Sequence, residues 1–296
     1  VSGPAPAGNL LRRAFAPGRQ GRPRLWPELA LIVIGYSLYT VTRNAVPGQK
    51  AIAISRAGSI LRFEHRLHID IELTINHAID KISWLIVGMN YYYAALHYVI
   101  TVGVLVWLYV RHPQAYRYER IVLFTVTVSS LIGFYFYAMA PPRFLPGAGF
   151  INTVVTHHTW GSWGNSGVDK VSNQYAAMPS DHIAWSGWCG IMIYRYARHR
   201  WIRVAGLLYP VFTLTVILAT GNHFVLDAVG GAANLSLAFG IRYGVTRLWR
   251  RRRAAGPPDA SLPTPRAQHD GGGHERTLGE QRGIGDPEPA VEQRDG

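Results

Sequence analysis

The chain has 296 residues, 48% of them hydrophobic and 12% aromatic, with 30 basic and 17 acidic side chains and a formal net charge of +13. That composition excludes an acidic disordered protein. The single cysteine, Cys189, excludes a disulfide scaffold and cysteine-ligated zinc or iron–sulfur centres.

In chain order, residues 1–27 are rich in Pro, Gly and Arg and read as a disordered basic arm. Residues 29–46 form the first long apolar run, with no small-residue cleavage site after it, so it reads as a span and not as a leader. Further runs cover about 90–110, 119–140, 182–198, 202–221 and 224–246. Each approaches the length a helix needs to cross ~30 Å of hydrocarbon. The expectation is an all-α polytopic membrane protein with six transmembrane helices, its catalytic domain at 28–248. Residues 249–296 read as a basic stub followed by a disordered acidic tail; 254–296 hold eight acids against four arginines.

The cations set the orientation. Eighteen lie before the first span, between the second and third, between the fourth and fifth, and after the sixth; eight lie on the other side. The positive-inside rule then places both termini in the cytoplasm and the loops 47–81 and 141–181 outside, on the cell membrane. Topology accounts for the basic balance, and no nucleic-acid-binding motif accompanies it, so nucleic acid is not an expected partner. The expected partners are the bilayer and a lipid phosphate or phospholipid substrate. Nothing in the sequence states an oligomeric state.

Loop 47–81 alternates apolar and charged residues and suits one or two interfacial helices outside the bilayer. Within it Glu64, His68 and Glu72 recur at i, i+4 and i+8, one face of a single helix. Two readings stay open for that face: a metal site, or a solvated face with i, i+4 pairs.

Three polar clusters fall on the outer side. They are Pro141-Pro142-Arg143 after the third span, Met178-Pro179-Ser180-Asp181-His182 at the start of the fourth, and Thr220-Gly221-Asn222-His223-Phe224-Val225-Leu226-Asp227 at the start of the sixth. Pro179 suits the first turn of a helix, and a helix N-terminus with free amides attracts an anion. His223 and Asp227, four apart on a helix, share a face. A carboxylate on one imidazole nitrogen leaves the other free to attack, while a second histidine, His182, can protonate a leaving oxygen. Arg143 offers a permanently charged fork for phosphate. Together these residues describe a phosphoryl-transfer site that needs no metal or other cofactor. Trp160, Trp163, Trp185 and Trp188 near it suit an interfacial depth.

These segments resemble the type 2 phosphatidic acid phosphatase superfamily, whose second motif reads P-S-G-H and whose third ends in H-x-x-x-D. Pro179-Ser180-Asp181-His182 and His223-Phe224-Val225-Leu226-Asp227 stand at those positions. The resemblance implies a His223 nucleophile that forms a phosphohistidine, a His182 general acid, and Asp227 orienting His223. The departures are specific. The superfamily's first-motif lysine would fall at Phe136, its third-motif Ser-Arg at Val216-Ile217, and Asp181 replaces the glycine. Arg143, Ser180, Asn222, the helix amides and Lys170 are the groups left to hold phosphate. The segments look closer to the branch of inositol phosphorylceramide synthases, in which Tyr93, His97 and Arg120 look like further family positions. The function this implies is a lipid phosphatase or headgroup phosphotransferase acting at the extracytoplasmic leaflet. The alternatives are a non-catalytic lipid carrier on the same scaffold, or a metal-dependent hydrolase using Glu64, His68 and Glu72.

Overall fold

A computed structural model describes residues 50–159 and 175–254, with Trp26, Glu28, Ala30, Val33 and Ser37 before them. The expected basic arm, most of the first span, the segment holding Trp160, Trp163 and Lys170, and the acidic tail lie outside the described residues. The described elements are helical, and no strand occurs among them. Residues up to Arg251 belong to one unit; of the unit beyond it only 252–254, the end of the last helix, are described.

The outer loop folds as two helices, α1 (Lys50–Leu67) and α2 (Glu72–Asp80). They are followed by α3 (Ser83–Arg111), α4 (Pro113–Phe136), a 3₁₀ turn at Pro142–Phe144 and a single helical turn, α5 (Thr153–Thr156). Three helices then complete the bundle: α6 (Asp181–Tyr196), α7 (Arg200–Ala219) and α8 (Val225–Ala254).

Among the described residues α3, α4 and α7 are long and apolar enough to cross a membrane. The six expected spans are thus met at three positions. The physical reasons for the others differ. At 16 residues α6 is about 24 Å long, short of the ~30 Å hydrocarbon core. At 30 residues α8 has the length but carries Asp227, Asn234, Ser236 and Arg242 along it. Most of the first span lies outside the described residues.

The bundle is tied by close approaches and by polar pairs. At the α6–α7 crossing a Cβ on Gly190 would sit 2.5 Å from the Gly206 carbonyl, so glycine is what lets the two backbones touch. Asn234 of α8 bonds Ser129, Ser130 and the Val126 carbonyl of α4. Val99, Val102 and Val106 of α3 and Leu207, Leu208 and Val211 of α7 are exposed, as expected of surfaces that face lipid.

Glu119, near the start of α4, is buried and receives Arg242 of α8 at 2.9 Å and Arg195 of α6 at 3.7 Å. The Trp188 indole N–H donates to its carbonyl at 3.0 Å. Arg120 pairs with Glu28, which also accepts from the Tyr116 hydroxyl. These pairs close one end of the bundle. From Glu119 to the end of α4 is 17 residues, roughly 25 Å of helix. The polar clusters singled out in the sequence lie at that other end.

Candidate active site

Three loops meet there, and their main chains are stitched together. Met139 N–H donates to the Tyr175 carbonyl at 2.7 Å and Ala177 N–H to the Met139 carbonyl at 3.3 Å, an isolated parallel bridge between the segments that lead into the first and second clusters. Arg143 N–H donates to the Gly221 carbonyl at 3.0 Å, joining first to third. Ser180 N–H donates to the Asp227 carbonyl at 3.0 Å, joining second to third. The segments that carry the site's side chains are therefore tied to one another by backbone bonds. Gly221 has φ +62, the left-handed region that favours glycine, and a Cβ there would lie a tight 3.3 Å from the Arg143 Cβ.

The local conformations differ from two sequence expectations. Pro179 does not open a helix. Ser180 is the N-cap and α6 begins at Asp181. Pro179 packs instead between α4 and α8: a Cβ on Gly133 would meet its Cδ at 2.7 Å, and one on Gly230 its Cβ at 3.5 Å. His223 is likewise not on the helix that carries Asp227, because α8 starts at Val225. The pair survives because Asp227 folds back over the helix start. Its Oδ2 accepts from Phe224 N–H at 2.9 Å and lies 3.3 Å from His223 Nδ1. An N-terminal carboxylate of this kind serves the orphan amides and fixes the imidazole in one act.

With Nδ1 turned to the carboxylate, the proton belongs on Nδ1 and the other nitrogen carries the lone pair. His223 Nε2 is buried and has no hydrogen-bond partner among the described residues. The His182 ring lies across from it, centroids 5.6 Å apart at 57°. Both histidines are buried, and Asp227 completely so. Asn222 donates from Nδ2 to Thr220 Oγ1 at 2.6 Å and keeps Oδ1 unpartnered. That amide is spent on shaping the turn, so what remains toward a ligand is an acceptor. Ser180 Oγ is buried, makes no cap bond and is unpartnered among the described residues. Arg143 rides on the 3₁₀ turn with its guanidinium 4.7 Å from the Phe144 ring centre.

Between them these residues supply a bare imidazole nitrogen, a second imidazole and a guanidinium at one end of an apolar bundle. The family model for the PAP2 superfamily, the type 2 phosphatidic acid phosphatases, matches residues 58–241. The chain belongs to the PAP2 superfamily. No curated protein and no solved structure matches it. Membership, with the apolar helices, points to a membrane protein of phosphatase type. All three polar clusters and both histidines lie inside the matched stretch.

The structure sets His68 apart from the two carboxylates of the alternative metal reading. Helix α1 ends at Leu67, and His68 takes a left-handed φ of 56 in the turn that follows. Glu64 and Glu72 are buried on two different helices while His68 is exposed. One helical face therefore does not carry all three, and no group of three or more His, Cys, Asp or Glu side chains arranged to hold a metal occurs among the described residues. Trp188 faces no headgroup: it is completely buried in the core of α3, α4, α6 and α8.

Two neighbours lacked an assigned place in the sequence reading. The Tyr93 ring stacks on His182, 4.1 Å between centroids at 14°. It gets there through a π-helical turn at Tyr92–Leu96, an irregularity that often marks functional sites. His97, at the end of that turn, is buried 4.9 Å from the His182 ring and bonds the Tyr209 hydroxyl at 3.1 Å. Arg120, by contrast, belongs to the Glu28 pair at the far end.

Proposed function

We propose that this chain cleaves or transfers a phosphate ester on a lipid through a phosphohistidine on His223. The observation that carries the reading is the buried His223–Asp227 pair, with His223 Nε2 bare and His182 facing it. Nε2 attacks phosphorus as the P–O bond to the leaving group breaks, and His182 gives that oxygen its proton. His182 then takes a proton from the incoming hydroxyl as its oxygen attacks phosphorus and the P–N bond breaks. Water in that role gives a phosphatase. An alcohol on a polar headgroup gives a phosphotransferase, the reading that goes with the inositol phosphorylceramide synthase-like segments. Arg143, with the Ser180 hydroxyl and the α6 amides, is proposed to hold the phosphoryl oxygens, and Asn222 to orient a protonated one.

An extracytoplasmic site with cytoplasmic termini is part of this proposal. It is supported by the arginines gathered at the Glu119 end, away from the histidines. The carrier reading leaves a buried His–Asp pair without a task.

The test uses purified protein in detergent with EDTA and a panel of lipid phosphates and phosphodiesters, with and without inositol, comparing wild type with His223→Ala. Phosphate release that the variant lacks identifies a phosphatase. A headgroup-exchanged lipid that the variant cannot make identifies a transferase. Equal turnover by both proteins, or label trapped on a residue other than histidine, overturns the mechanism.

A further inference from the structure

Two carboxyl groups behind the site are not used by that reaction. Glu64 of α1 and Glu72 of α2 are both completely buried and lie within hydrogen-bonding reach of each other. Glu64 Oε1 accepts from the Leu226 N–H of α8 at 2.6 Å. Glu64 Oε2 and both Glu72 oxygens meet no side-chain donor among the described residues. Two carboxylates cannot bond each other without a proton between them; one shared proton satisfies Glu64 Oε2 and one of the Glu72 oxygens. Leu226 immediately precedes Asp227, and its amide is one of the orphan donors at the α8 N-terminus.

We propose that Glu64 and Glu72 share one proton and act as a clamp that positions the His223–Asp227 pair from outside the bundle. Glu64 is a positioning residue: it holds the helix start by the Leu226 amide and touches no reacting atom. This rests on the proposed role of His223. While the proton is bound, Glu64 donates to Glu72 and accepts from Leu226, and one side chain fastens α1 and α2 to α8. When the proton leaves, two adjacent carboxylates face each other beside Asp227, and repulsion opens the clamp.

Burial, and then Glu72 alongside, push the Glu64 carboxyl up to about 9; burial raises Glu72 as well. The other groups facing the pair are Asp227, with its partner His223, from the start of α8, and Asp70 from the turn before α2. Asp70 is held below the usual carboxylate range by its bond to His65. Arg143 stands on the turn whose Phe144 packs against α1. A carboxyl raised on folding stabilises the fold fully below its unfolded value, and that stability is lost as pH rises through the folded value. The window for Glu64 runs from about 4.5 to about 9.

The experiment compares wild type, Glu64→Gln, Glu64→Ala and His223→Ala in detergent from pH 5 to 10, reading both melting temperature and phosphate release. The introduced glutamine can accept from Leu226 and donate to Glu72 with no titrating proton. We expect Glu64→Gln to remove the part of the fall in melting temperature that wild type shows toward pH 9, and to keep turnover where wild type loses it. Glu64→Ala should lose about tenfold in turnover at pH 7, and the amide variant should rescue that loss. His223→Ala should lose turnover and melt lower at every pH, because Asp227 loses its partner, yet still show the fall toward pH 9, which separates the two proposals. Superimposable melting and rate profiles for Glu64→Gln and wild type overturn the clamp, as does wild-type turnover in Glu64→Ala. If no protein turns over any lipid, the proposed function fails, and the melting profiles still decide the clamp.

Discussion

Ser180 and Asp227 are joined through their main chains: the Ser180 N–H donates to the Asp227 carbonyl at 3.0 Å. In an uninterrupted helix that carbonyl would serve only the amide four residues on, at Gly231. Here it also receives the cap of α6, so the two helices that carry His182 and Asp227 start against each other. The approach is possible because position 231 has no side chain; a Cβ there would collide with the Ser180 carbonyl oxygen.

Gly231→Ala should therefore push α6 away from α8. Overpacking of this kind costs about 1–3 kcal/mol. We expect a lower melting temperature and a loss of turnover at least as large as the stability loss implies. Gly240→Ala on the same helix, where a Cβ meets nothing within 4 Å, is the control and should melt like wild type.

Asp227→Asn tests the charge. Oδ2 alone serves both Phe224 N–H and His223 Nδ1, so the oxygen of the introduced amide keeps both bonds and the tautomer. What is lost is the negative charge that stabilises the positive imidazole formed on attack. A hydrogen bond to a charged group is worth about 1.5–3 kcal/mol, so turnover should fall by about 10- to 10²-fold with little change in melting temperature. Retention of more than a tenth of the wild-type rate would remove Asp227 from the proposed mechanism.

Tyr93 stacks on His182 and should hold its ring edge toward His223. Such a contact is worth about 0.5–1.5 kcal/mol. Tyr93→Ala should lower turnover roughly 2- to 10-fold, and Tyr93→Phe, which keeps the ring, should restore most of it. Equal loss in both variants would assign the effect to the hydroxyl and not to the stack.

What the sequence made legible follows from the range of each interaction. His223 and Asp227 are four residues apart, so their pairing could be read from spacing even though the helix begins after His223. The three clusters could be placed at one end because each adjoins an apolar run of span length. The Glu64–Leu226 bond joins residues 162 apart in the chain, and no periodicity encodes it. Glu64 stood out only beside His68 and Glu72, on a face that said nothing of Leu226. The π turn that aims Tyr93 was equally invisible, since its apolar pattern is that of an ordinary helix. The expected face of Glu64, His68 and Glu72 failed for a local reason: the helix stops at Leu67, and one residue in a left-handed conformation breaks the period. Pro179 misled because a proline that fits a first turn also fits a packed loop between two glycines of neighbouring helices.

The far end of the bundle gives a prediction with the opposite signature. Glu119 is buried beside Arg242, whose side chain is 30% exposed, and Arg195, which is 50% exposed. Removing the carboxylate strands the Trp188–Glu119 region with two cations and no acceptor. Breaking a fully buried pair costs about 3–5 kcal/mol, and exposed pairs cost up to about 1. The half-exposed arginines place Glu119→Ala between, at about 2 kcal/mol. Because the pair lies roughly 25 Å along α4 from the site, its loss should lower the melting temperature and leave the KM for lipid unchanged. Glu119→Gln, which keeps an acceptor for Arg242, should recover part of the stability. A changed KM with an unchanged melting temperature would mean that the two ends of the bundle are coupled, and would overturn a purely stabilising role for Glu119.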